Sequence, residues 1–381
     1  MNRMRRITAR LMLVATAAAT IASAFQSAPV VAAPIHRPAA ITFLCPDTQQ
    51  SQVMIDVDGT FAHRDNNWES PEVGRLLKFQ CYTVLGRDEA SEWLMLPYGS
   101  SPAWVSRSAV RFKEGVDITQ LPLANKAAVQ PTPALRLPGV PAVSKQMQQL
   151  YKDGVKAGRK PNTVSVVGDC NSEHPVFLGR LAAGAFNLAP YPQLQKTYQA
   201  FLPSFSRVSV ATSGSFNAGM AFDGTWADPK QCKPNEGPLG CELRLSNAGI
   251  MLISLGTGDT FTWQEFETHY KSIIETVLAA KAVPVLMTKA DALETRQGGA
   301  PAEYINNIVR KLGAQYGLPV IDFAKAAQTL PDGGLAQERN VNLQPIEPFH
   351  VNEAGMDARI LMTLQTLAQF PSVDAAVKKK R

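Results

Sequence analysis

The chain has 381 residues, 45% of them hydrophobic and 18% charged, which is ordinary for folded globular protein and long enough for more than one domain. Its formal charge is +6, but Arg3, Arg5, Arg6 and Arg10 open the chain and Lys378, Lys379, Lys380 and Arg381 end it, so what lies between is slightly acidic. That balance speaks against a nucleic-acid surface, which needs a clustered basic footprint, and no nucleic-acid partner is expected.

In chain order, the first element is the basic-then-apolar stretch MNRMRRITARLMLVATAAATIASA, with small-residue sites at Ala22-Ser23-Ala24 and Val31-Ala32-Ala33. It predicts an export signal over residues 1–33, cut near either site, and hence a secreted or cell-surface protein; a retained anchor is the alternative. No cysteine follows either site, and no later apolar run is long enough to span a bilayer, so no transmembrane span is expected in the mature chain.

Residues 41–113 read as short alternating runs broken by Gly, Asp and Asn, the pattern of a small β-barrel. The stretch VGRLLKFQCYTVLGRDEASEWLMLPYGSSPAWVSRSAVRF resembles the bacterial SH3-like family, which implies a module that binds a cell-wall or surface ligand, with Trp93 and Trp104 as core, rim or stacking residues. Residues 114–143 are Pro-rich and aperiodic, as expected of a semi-stiff linker. A helical stretch, SKQMQQLYKDGVKAGR, follows.

Over residues 144–372 apolar runs such as TVSVVG, AGIMLISLG and VPVLMTK alternate with helical ones, which predicts an α/β domain with a doubly wound parallel sheet in a three-layer sandwich. A basic tail, 373–381, closes the chain. Ligands on such sheets bind beyond the carboxyl ends of the strands, so the turns at 168–172, 212–215, 256–260 and 288–291 are the expected site.

Five cysteines are present. Cys232 and Cys241 bracket a Pro- and Gly-rich loop, and Cys45 and Cys81 both fall in the barrel segment; if each pair bonds locally in an oxidising compartment, Cys170 is left free. No Cys or His spacing suits zinc, and neither a metal nor a cofactor is expected.

Taken together, the turns resemble the SGNH, or GDSL-like, hydrolase family over residues 163–370. In VVGDCNS, Cys170 takes the place of that family's serine nucleophile, after Gly168 and Asp169. In ATSGSFNAG, Gly214 takes the place of the glycine whose N–H serves the oxyanion; in SLGTGD, Gly258 stands where the family has an asparagine donor, followed by Asp259. In IEPFHVNEAG, His350 takes the place of the base, Glu347 that of its orienting carboxylate, and Asn352 matches. The resemblance implies an exported ester hydrolase acting on an acylated glycan or lipid, with Cys170 attacking and Gly214 and the Cys170 N–H holding the oxyanion. Lys289 and Asp291, at the last of these strand ends, are candidates to touch substrate, Asp259 is a candidate turn cap, and His174 is a second candidate partner for the thiol.

Gly258 is the difficulty, because loss of one oxyanion donor costs on the order of 10²–10³ in turnover. The competing expectation is therefore a protein that keeps the fold and serves as a cell-surface or ligand-binding module without catalysis. A thiol-dependent transferase or redox role for Cys170 is the third.

Overall fold

The computed structural model describes residues 43–46, 51–126 and 135–371. The expected export signal (1–33) and basic tail (373–381) lie outside the described residues.

The first part is all antiparallel. Strands β1 (Gln52–Ile55), β2 (Thr60–His63), β3 (Glu72–Leu76), β4 (Cys81–Thr83), β5 (Gly86–Arg87), β6 (Trp93–Tyr98), β7 (Ser101–Ser106) and β8 (Val110–Phe112) form a three-stranded sheet of order β4-β1-β8 and a five-stranded sheet of order β3-β2-β7-β6-β5. Alternation places Val53, Ile55, Leu94, Leu96 and Val105 in the core. The β6–β7 hairpin pairs Tyr98 with Ser101 around Gly99, whose φ of +65° suits glycine. The disulfide Cys45–Cys81 ties the start of this region to β4.

The second part is the α/β unit. It contains α1 (Lys145–Lys156), β9 (Lys160–Gly168), α2 (Leu178–Ala182), α3 (Gln195–Phe205), α4 (Pro238–Ser246), β10 (Ala248–Ser254), α5 (Phe266–Ala279), β11 (Val283–Met287), α6 (Tyr304–Tyr316), β12 (Val320–Ile321), α7 (Phe323–Ala327), β13 (Glu338–Arg339), β14 (Pro345–Ile346) and α8 (Glu353–Leu367). Four parallel strands run in the order β12-β11-β10-β9, and a parallel bridge from Gly168 to Thr212 extends the sheet past β9. Chain order thus reverses between β9 and β10, which makes their carboxyl ends the switch point of the sheet. Every residue of β10 and β11 is buried, as near-continuous apolar strands must be when helices cover both faces. The second disulfide, Cys232–Cys241, closes the loop leading into α4 and leaves Cys170 as the free cysteine among the described residues.

A free-standing SH3-like domain finds no support in this arrangement, because the described residues form one compact unit. The cause is buried polar bonding between the two parts. Arg180 of α2 is fully buried, donates to the Val73 carbonyl of β3 and pairs with Asp357 of α8 at 2.9 Å, while Asp357 also accepts the Ser100 N–H of the β6–β7 turn. Tyr82 of β4 donates to Glu353 at 2.6 Å. The described ends of the Pro-rich segment are pinned too: Leu123 bridges Arg87, Asp322 N donates to the Gly139 carbonyl, and Val143 N donates to Gln369.

Candidate functional site

The apolar run of β9 ends at Gly168, and Asp169 then turns the chain. One oxygen of its buried carboxylate accepts the Asn171 N–H at 3.1 Å and the other accepts the Thr257 N–H at 3.3 Å, joining the turns after β9 and β10. Burial pushes this carboxyl up to about 6; the charge of Asp291 adds to the rise and that of Arg359 opposes it.

Cys170 is the first residue of the following 3-10 turn and is 7% exposed. Burial, and then the negative charges of Asp169, Glu173 and Asp291, hold its thiol well above the ordinary cysteine range, with Arg75 the opposing influence. A nucleophilic cysteine needs the opposite environment, with cationic or helix-N-terminal groups lowering its pKa.

Asn171 clasps the chain on both sides of His350: its amide donates to the Phe349 carbonyl at 2.8 Å and accepts the Val351 N–H at 3.0 Å. His350 Nδ1 meets a carboxylate at 3.0 Å, but it belongs to Glu338, not to Glu347. Glu338 also accepts the backbone N–H groups of Phe349 and His350, at 2.8 and 3.1 Å. Burial works to raise the Glu338 carboxyl, yet the hydrogen bond and charge of His350 and the two N–H donors outweigh it and hold the group below the usual glutamate value. Glu347 contributes its backbone carbonyl, which accepts from Arg296 at 2.7 Å.

The imidazole therefore has an orienting partner, with Nδ1 the donor and Nε2 left for other chemistry. No hydrogen bond joins it to Cys170 among the described residues. It borders a water-sized cavity of about 10 Å³, walled by Arg75, Gln80, Asn171, Glu353 and Met356. Thus β3 of the antiparallel part covers the base, and its Arg75 pairs with Glu173, three residues past Cys170.

Gly214 and Gly258 occupy the turns expected to serve an oxyanion. The nearest atom to where a Cβ would stand on Gly214 is a carboxylate oxygen of Glu173, at 3.7 Å. A Cβ on Gly258 would collide with the carbonyl oxygen of Phe216. The turn before Phe216 is held by Ser215 at φ +63° and by Asp259, whose buried carboxylate accepts the Ala218 N–H at 2.8 Å. The other Asp259 oxygen has no hydrogen-bond partner among the described residues, and burial pushes this carboxyl up to about 7, with the Ala218 N–H opposing.

Lys289 and Asp291 form a buried knot. Lys289 Nζ binds Asp291 at 2.7 Å and Glu294 at 2.8 Å, and Asp291 accepts the Thr257 hydroxyl at 2.7 Å. His174 turns its Nε2 to the Phe205 carbonyl at 2.9 Å, and Asn352 caps α8 by accepting the Gly355 N–H. Among the described residues one group of side chains is close enough to hold a metal, Cys232, Glu236 and Cys241, and its two cysteines are joined in a disulfide.

Sequence reasoning missed Glu338, Arg75, Glu173 and Arg359. The buried Arg359 donates to the Asn171 carbonyl, to Ser172 Oγ at 3.0 Å and to Ser254 Oγ at 2.9 Å, and lies over the Phe177 ring at 4.4 Å. Burial brings its pKa down to about 10 against the charge of Asp169. A signal for it existed: Asp357 and Arg359 interrupt an otherwise apolar helix, and charges in such a helix are buried and paired.

No family model and no curated protein matches the chain. Among solved structures it is distantly similar to a catalytic mutant of Axe2, an acetylxylan esterase from Geobacillus stearothermophilus, at 13% identity and TM-score 0.34 over 56% of this chain and 96% of that one. It is also similar to a GDSL-like lipase from Bacteroides thetaiotaomicron, at 11% identity and TM-score 0.30 over 58% and 96%, and to protein YxiM of Bacillus subtilis, at 14% identity and TM-score 0.33 over 83% and 77%.

Proposed function

We propose that this chain is an exported ligand-binding protein built on an esterase-like α/β scaffold, and that it does not turn over esters. The observation that carries this reading is the Phe216 carbonyl beside Gly258. Where acyl transfer needs a hydrogen-bond donor for developing negative charge, this turn presents an acceptor, which repels that charge. Three further features support it: a thiol held protonated by its burial and then by neighbouring carboxylates, a water-sized space beside the base, and the Arg75–Glu173 pair near the expected nucleophile. Two disulfides support the exported setting.

The second reading is ester hydrolysis of an acylated glycan or lipid by Cys170, and what favours it is the His350–Glu338 pair, an oriented imidazole of the kind general-base catalysis uses. A short-chain aryl ester separates the two. The ligand-binding reading expects the full chain to hydrolyse it no faster than Cys170→Ala and His350→Ala. Turnover by the parent that both substitutions abolish would overturn it in favour of the hydrolase.

A further inference from the structure

A trough of about 840 Å³ lies between the antiparallel part and the α/β part. Phe61, Trp68 and Pro71 line it on one side, and Pro175, Ala183 and Val208 on the other. Its far end reaches Glu173 and Thr212, at the carboxyl edge of the sheet.

We propose that this trough binds a neutral glycan chain, with Trp68 as its stacking platform; the proposal rests on the ligand-binding reading. Trp68 is 68% exposed, an unusual position for so large an apolar side chain. It is nonetheless held in place: its ring meets Trp93 edge-on at 4.9 Å and stands nearly perpendicular to His63 at 5.6 Å, and His63 is itself fixed by a contact from Nδ1 to the Ser70 carbonyl at 3.2 Å. A fixed, solvent-facing indole binds an apolar surface with little loss of side-chain freedom. A pyranose ring offers such a surface on its C–H face, and its hydroxyls donate to carboxylates.

The charge of the trough selects among chains. Glu72 and Glu173 line it, the latter paired with Arg75, and no lysine or arginine lines it among the described residues, so nucleic acid and polyanionic glycans are disfavoured. Strand addition by a peptide is disfavoured as well. Strand β3 is the sheet edge bordering the trough, yet its Val73 and Arg75 carbonyls already accept from Arg180 and from the Tyr98 hydroxyl.

The test is titration calorimetry of the full chain with β-linked tetrasaccharides of glucose and of N-acetylglucosamine, beside a blocked uncharged tetrapeptide. Saturable binding of at least one tetrasaccharide is expected, weakened about tenfold or more by Trp68→Ala. Glu72→Gln, at an exposed position that leaves the fold intact, is expected to weaken it severalfold, which separates loss of the site from loss of folding. No saturation by either sugar, equal affinity in both variants, or Trp68-dependent binding of the tetrapeptide instead would overturn the proposal. Failure here leaves the ester assay untouched, and ester turnover by the parent would overturn the ligand-binding reading without bearing on whether sugar binds at Trp68.

Discussion

The carbonyl oxygen of Phe216 fills the space in which any side chain on Gly258 would have to begin. Glycine at 258 is thus a packing requirement of the 215–218 turn.

Restoring the expected asparagine should therefore fail. Gly258→Ala and Gly258→Asn are expected to destabilise the protein by about 1–3 kcal/mol or more, since the neighbouring group is backbone and cannot swing aside. Urea unfolding measures the loss. Stable folding of Gly258→Asn together with a gain in aryl-ester hydrolysis would show that the turn can open and that the hole can be rebuilt.

Cys170 should be chemically quiet. Its thiol is buried and held protonated, so a maleimide reagent near pH 8 is expected to label the native chain slowly and to find one thiol per chain once it is unfolded without reductant. Rapid labelling of the folded chain would mean that the Cys170 pocket is open.

Stability should carry two opposing pH signatures. Asp169 and Asp259 have folded values near 6 and 7 against an ordinary 3.8, so the folded state binds more protons between those limits and stability falls as pH rises from about 4 to about 7. Asp259→Asn keeps an acceptor for the Ala218 N–H and is expected to flatten that fall and raise stability at neutral pH. Glu338 acts in the other sense. Its folded value is depressed, so its contribution is present above the unfolded glutamate value and is lost as pH falls through the folded one; Glu338→Gln should remove that acid limb. Melting temperatures of the three proteins from about pH 2 to about pH 8 decide both points.

Asp357→Asn should be severe. It leaves the fully buried Arg180 with an uncompensated charge, and breaking such a pair costs about 3–5 kcal/mol. A double replacement of Arg180 and Asp357 by apolar residues of similar volume is expected to recover much of the loss, read by denaturant midpoint.

The parallel sheet was legible because β10, β11 and the second half of β9 are buried strands that alternate with amphipathic helices; the disulfides were legible because Cys232 and Cys241 bracket one short loop and Cys45 and Cys81 share the antiparallel segment. The partner of His350 was not. A carboxylate three residues upstream is a local pattern, whereas Glu338 reaches the ring because the β13–β14 hairpin folds it back, a tertiary event with no sequence period. The knot of Lys289 and Asp291 was hidden for the same reason: only the fold shows that Glu294 completes it. The attachment of the antiparallel segment was not legible, because its own strands alternate cleanly while the bonds that fix it to α2 and α8 come from single residues far along the chain.

Those bonds set an order of events. Ser100 and Asp357 are 257 positions apart, and Val73 is held by Arg180, which itself depends on Asp357. During synthesis the first hundred residues emerge long before the last helix does. They cannot reach their final packing until α8 arrives, so this chain matures all at once, at the end, rather than segment by segment.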